Sequence, residues 1–125
     1  MMNKLPPRIK SKLLLDTLFA GGQSKTVSAY PLKAVYCVMD SSDITTSKHR
    51  EGLQVMFSVS KRLFKHAVDR NRVKRQMRET LRINQNICVP EGKLLLIAFI
   101  WIADRHHTHG KIDRAMTKIL GKLNV

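Results

Sequence analysis

Acidic residues are scarce: 9 Asp plus Glu stand against 23 Lys plus Arg in 125 residues, a formal charge of +14. Such an excess describes partners rather than fold, and it selects polyanions, nucleic acid first and an anionic membrane surface second. Cysteine is scarcer still. Cys37 and Cys88 form no CxxC or Cys/His spacing, so neither a disulfide framework nor a zinc site is suggested, and a reducing cytosol is the simpler context. Long hydrophobic runs are also missing. The longest, residues 94–103, has ten residues, about half of the roughly 20 that a transmembrane helix needs. Residues 1–12 are polar and basic, with Pro6 and Pro7 where a signal peptide would place its apolar core. The expectation is a cytoplasmic protein.

What is present is a 43% apolar chain, enough for one domain of ordinary size spanning 1–125 and too short for two stable ones. Residues 1–12 form a basic tail with Lys4, Arg8, Lys10 and Lys12. Over residues 13–20, Leu15, Leu18 and Phe19 recur at helical spacing, and Gly21 and Gly22 signal a stop. Residues 32–39 are rich in strand formers, and 40–49 form a Ser, Thr and Asp cluster that reads as a loop. Residues 53–60 alternate, with Leu53, Val55, Phe57 and Val59 on one face.

Over residues 67–83 the period becomes helical. Val73, Met77 and Leu81 share one face, and Asn71, Lys74, Arg75, Arg78 and Arg82 occupy an arc on the other. Pro90 and Gly92 mark a break before the apolar run at 94–103, which fits a strand buried on both faces. Ile112, Ala115, Met116, Ile119, Leu120 and Leu123 then predict an amphipathic helix. The expected class is a small α+β domain of order α-β-β-β-α-β-α, a sandwich of helices on one sheet, with the basic helix inside a βαβ crossover.

The charge is concentrated. Residues 61–82 hold nine Lys or Arg and two acids, Asp69 and Glu79, a net +7. Phosphate binding needs many cations on one surface, because each neutralised phosphate releases counterions and the gain accumulates. A helix supplies them in register, and Arg adds planar forks that fit phosphate bidentately. A solvated face balanced by ion pairs is the competing account, but two acids cannot balance nine cations.

The run from Phe57 to Arg82, FSVSKRLFKHAVDRNRVKRQMRETLR, resembles the signature of the bacterial ribonuclease P protein component. That signature is an Arg-Asn-Arg element on a helix, here Arg70-Asn71-Arg72 continuing with Lys74 and Arg75, preceded by a strand ending in Ser58-Val59-Ser60-Lys61. Residues 8–22 are similar to the family's first helix, with Phe19 at its second aromatic position. Three departures stand out: Leu15 replaces a Phe, Met56 a Gly, and Lys65-His66 a Gly-Asn pair.

The resemblance implies an accessory subunit of an endoribonuclease. In that family the RNA subunit cleaves the 5′ leader from precursor tRNA with Mg²⁺, and the protein helps it bind substrate and metal, one protein to one RNA. Arg70, Asn71, Arg72, Lys74 and Arg75 are then implied to contact the catalytic RNA, with Lys61, Arg62, Arg78 and Arg82 extending the same surface. Leu15, Phe19, Tyr36, Met56, Ser58 and Ser60 are the expected lining of a cleft for the single-stranded leader, where stacking and backbone cations tolerate any sequence. A left-handed βαβ crossover, against the general rule, is also implied. Consistent with an accessory role, no paired carboxylates, nucleophile triad or metal box is legible in the chain.

The alternative is a generic basic RNA-binding protein, ribosomal or chaperone-like, without an enzymatic role. A membrane-surface helix is disfavoured, because Val73, Met77 and Leu81 lack the aromatic apolar face such helices use. His106, His107 and His109 resemble a metal cluster, but no carboxylate or Cys completes a ligand set, and a polar loop is preferred. Trp101, Cys37 and Cys88 read as core.

Overall fold

The computed structural model describes residues 8–9, 12–20, 24–40, 52–84 and 92–123. Seven elements follow in order: α1 (Lys12–Ala20), β1 (Lys25–Ala29), β2 (Leu32–Asp40), β3 (Gly52–Val59), α2 (Ala67–Asn84), β4 (Lys93–Trp101) and α3 (His109–Lys122). The order matches the expectation, with the first strand at Lys25–Ala29, a segment whose sequence carries little alternation. The loop read at 40–49, the basic tail before Arg8, Gly21, Gly22, Cys88 and Pro90 lie outside the described residues, apart from Asp40, which ends β2.

The sheet runs β1-β2-β4-β3. β1 pairs antiparallel with β2, β2 antiparallel with β4, and β3 parallel with β4. The last strand to form in sequence is therefore an inner strand, and α2 is the crossover between two parallel neighbours.

β4 explains the layering. Leu94 through Phe99 are fully buried, as an inner strand covered on both faces requires. Its side chains alternate: Leu95, Ile97, Phe99 and Trp101 join the core beneath α2 and α3, whereas Leu94, Leu96 and Ala98 join a second core beneath α1. Helices thus cover both sheet faces rather than one, because a strand apolar on both sides needs two covers. Phe57 of β3 stacks on Phe99 at 5.5 Å and 18°. Gly92 enters β4 at φ +80°, a backbone region open to glycine at little cost.

Local chemistry sets the helix limits. Thr108 caps α3, its side chain accepting from the Lys111 amide at 3.3 Å, which satisfies one of the orphan N–H groups of the first turn. α2 buries Val73, Met77, Thr80 and Leu81. The Thr80 hydroxyl donates to the carbonyls of Gln76 and Met77, each at 3.0 Å, so its burial leaves no unpaired group.

Because Phe99 is fully buried between β3 and the helices, Phe99→Ala is expected to cost about 3–5 kcal/mol. Urea unfolding of the wild-type and substituted chains measures this directly, as a lower midpoint with unchanged slope.

A candidate RNA interface along the basic helix and the open sheet edge

The basic stripe survives into three dimensions. Residues 73, 77, 80 and 81 face the sheet, and Asn71, Arg72 and Arg75 are exposed with Lys74, Arg78 and Arg82 half-buried beside them. Lys61 and Arg62 are exposed in the turn before α2. That turn is built on Ser60, whose carbonyl accepts from the amides of Leu63 and Phe64 and whose hydroxyl accepts from the Arg62 amide at 3.1 Å.

The motif cations do not all present themselves alike. Arg70 turns back, its Nη1 donating to the carbonyls of Phe64 at 2.9 Å and Lys65 at 3.0 Å, so it fastens the preceding loop to the helix. Arg72, about 200° further round the helix, points to solvent. Arg82 is held by a two-pronged contact to Glu79 one turn earlier. That hydrogen bond holds the Glu79 carboxyl below its usual range and raises Arg82. Asn71, Arg72 and Arg75 are thus the more outward-facing part of the stripe.

Lys74 and Arg78 do something the sequence did not predict. With Arg8, Ile9, Leu15, Met56 and Phe57 they line a cavity of about 270 Å³. Met56 and Phe57 are neighbours in β3 and so point to opposite sheet faces; a cavity lined by both wraps the open edge of that strand. Arg8 forms a parallel bridge with Val55, and the Ile9 amide donates to the Val55 carbonyl at 2.9 Å. The Arg78 guanidinium lies 5.9 Å from the centre of the Phe57 ring, within cation–π range. Among the described residues, three cations and no acid line this cavity, a strongly anion-attracting arrangement.

The expected cleft residues divide. Leu15 and Met56 meet in the cavity. Leu14 and Leu18 anchor α1 on the sheet, and Phe19, one turn after Leu15 on the same flank, stands 52% exposed. Ser58 pairs with Ile100 on the α1 side of the sheet, and Ser60 is exposed beyond the strand end. Tyr36 does not join them. It pairs with Ile97, and strand alternation puts it in the opposite core beneath α2 and α3, 4% exposed; its cleft assignment is corrected. Val35 occupies the face expected of Tyr36. Arg8 and Phe57 were missed, the first because no local pattern marks a tail residue bridging a strand, the second because its alternation reads as core.

The three histidines go to different places. His106 stacks on Phe64 at 4.7 Å, with Nε2 3.2 Å from Asp69 Oδ1. His107 stands edge-on to Tyr30 at 5.3 Å, and His109 opens α3. Burial, then Lys111 and Arg105, push the His107 pKa down. Among the described residues no three His, Cys, Asp or Glu side chains come together as metal ligands. Trp101 and Cys37 are buried, and no described helix is long and apolar enough to cross a membrane.

The family model described as Ribonuclease P matches residues 8–124. A ribonuclease P protein component from Porphyromonas gingivalis is 35% identical over 111 residues, covering 85% of this chain and 74% of that protein. One from Chlorobaculum tepidum is 54% identical over 35 residues, 28% of this chain and 23% of its own. Among solved structures, the RNase P protein of Staphylococcus aureus superposes with a TM-score of 0.64 at 21% identity, covering 91% of this chain and 92% of its own. That of Thermotoga maritima gives 0.61 at 16%, covering 98% and 100%. At such identities the two structures establish the fold.

Leu18 and Phe19 separate the roles of α1. Leu18→Ala removes a fully buried side chain and should cost about 2–5 kcal/mol, whereas Phe19→Ala, half in solvent, should cost less than about 1 kcal/mol. Urea unfolding of both variants reads the difference, and an equal loss would make Phe19 a core residue.

Proposed function

This chain belongs to the ribonuclease P protein component family, and from that premise we propose that it binds the catalytic RNA through α2 and the 5′ leader of precursor tRNA along the edge of β3 and α1. As a member it is part of an endoribonuclease ribonucleoprotein. The observation that carries the proposal is the continuity of two surfaces. Lys74 and Arg78 belong at once to the basic stripe of α2 and to the cavity beside Leu15 and Met56, whose described lining holds no acid. RNA on the helix and a single strand entering the cavity would be held by adjacent cations.

The chemistry suits a leader of any sequence. Cations track the backbone, Phe19 and the edge of β3 offer aromatic and apolar surface to bases, and no pattern of buried donors and acceptors selects one base. Mg²⁺ takes oxygen ligands, commonly phosphates and waters with one or two carboxylates, and among the described residues no three His, Cys, Asp or Glu side chains come together. The Mg²⁺ of the holoenzyme is proposed to be held by RNA, with the bond cleavage carried by the RNA subunit. What the protein contributes is positive charge and orientation, in the cytoplasm, one chain to one RNA.

Two experiments test this. Cleavage of precursor tRNA by a bacterial ribonuclease P RNA at low Mg²⁺ should be rescued by the chain, with cutting at the mature 5′ end, while the chain alone stays inactive. No rescue with the cognate RNA subunit would leave only an RNA-binding protein. Replacing Arg72, Lys74 and Arg75 with Ala, and sparing the loop-fastening Arg70, should weaken RNA-subunit binding and flatten its salt dependence. Each lost phosphate contact removes about 0.7–0.9 from the slope of log affinity against log salt; an unchanged slope would remove the helix from the interface.

A further inference from the structure

A second concentration of positive charge lies at the other edge of the sheet. α3 buries Ile112, Ala115, Met116 and Ile119. At about 100° per residue, Lys111, Arg114, Lys118 and Lys122 fall together on one flank of the helix. All four are exposed. A cavity of about 840 Å³ opens between this helix and the end of β1, lined by Ala29, Tyr30, Lys111, Arg114, Lys118 and neighbours.

Tyr30 gives the charge a direction. It sits in the tight turn between β1 and β2 with 52% of its surface exposed. The turn is fixed, since the Pro31 carbonyl accepts from the Ile102 amide at 3.0 Å. His107 packs edge-on against the ring at 5.3 Å and 87°, and Lys111 Nζ stands 5.4 Å from its centre. The ring is therefore positioned by its neighbours and still half in solvent. The one acid among the described lining residues, Asp113, accepts from Asn84 of α2, so part of its charge is answered within the protein.

We propose that this α3–β1 edge is a second binding surface for single-stranded RNA, with a base stacked on Tyr30 and the following phosphates on Lys111, Arg114 and Lys118. An oriented aromatic ring next to a row of cations is the combination that holds single strands without reading their sequence. The remaining described lining is small, Ala29, Ala115 and Thr117, and lacks the large apolar anchors a membrane surface would need. β1 and β3 are the two outer strands of a four-stranded sheet. The two surfaces are thus separated by three strand spacings, roughly 14 Å, and can be occupied at once. The proposal stands on this geometry and not on the role assigned to α2.

The test uses the full chain and a fluorescein-labelled oligouridylate carrying 4-thiouridine, in a background where Arg72, Lys74 and Arg75 are Ala so that the α2 surface is weakened. The oligonucleotide should still bind and should photo-crosslink to the peptide containing Tyr30. Adding Lys111→Ser, Arg114→Ser and Lys118→Ser should abolish that crosslink and lower the salt slope by about 2. Tyr30→Ala should weaken binding by roughly tenfold, as expected for one stacked base. The three cations are exposed, so the fold should survive their loss, with an unchanged melting temperature as the check. Unchanged affinity and crosslinking in the triple-Ser variant would overturn the proposal, as would binding to phosphatidylserine vesicles without binding to the oligonucleotide. Rescue of precursor tRNA cleavage is read separately, so failure here is distinguishable from failure of the α2 reading.

Discussion

Burial of β4 on both faces is the constraint on which the rest of the molecule depends. Nine residues, Lys93–Trp101, run between an antiparallel and a parallel neighbour, and their alternation feeds two cores at once. Fully burying one large apolar side chain stabilises by about 1.5–3 kcal/mol, so this strand concentrates a large share of the favourable term. It also decides what else must exist. One face demands α2 and α3, the other demands α1, and the sheet edges left over are β1 and β3.

That arrangement lets a small domain carry a charge that would otherwise work against it. Like charges one turn apart on a helix destabilise it by about 0.2–0.5 kcal/mol per pair, and α2 holds Lys74, Arg78 and Arg82 in such a row. The buried stripe of Val73, Met77, Thr80 and Leu81 outweighs this several-fold. The local fastenings are on the margins: Arg70 ties the loop before α2, Glu79 answers Arg82, and Asp69 meets His106. Between them Asn71, Arg72 and Arg75 face outward, with Lys74 half-buried beside them. The repulsion left there is of the kind a polyanion would relieve.

The site is then a matter of edges rather than of an enclosed pocket. Among the described residues, only Arg8 and Ile9 run beside the outer side of β3, at Val55, and charge from α2 leans over that edge. What the described residues place there is charge from Arg8, Lys74 and Arg78 beside the apolar and aromatic surface of Leu15, Met56 and Phe57.

Much of this was legible in the chain itself. The 3.6-residue period of α2 and α3, the two-sided apolarity of β4, the density of Arg and Lys in residues 61–82 and the spacing of Ser58-Val59-Ser60-Lys61 to Arg70-Asn71-Arg72 are local properties, and local properties are written in sequence order. The placement of Tyr36, the bridge of Arg8 to Val55, the inward turn of Arg70 and the meeting of Lys74 and Arg78 with Leu15 and Met56 were not. The turn of Arg70 depends on how the loop before α2 closes back on the helix; the others depend on which segments pair and in what register, and a one-residue change of register sends every side chain of a strand to the other face. Sequence alone determined that this is a basic α+β domain made to meet a polyanion; only the tertiary structure decided which faces and edges present the charge, because pairing between segments distant in the chain sets the direction of every side chain.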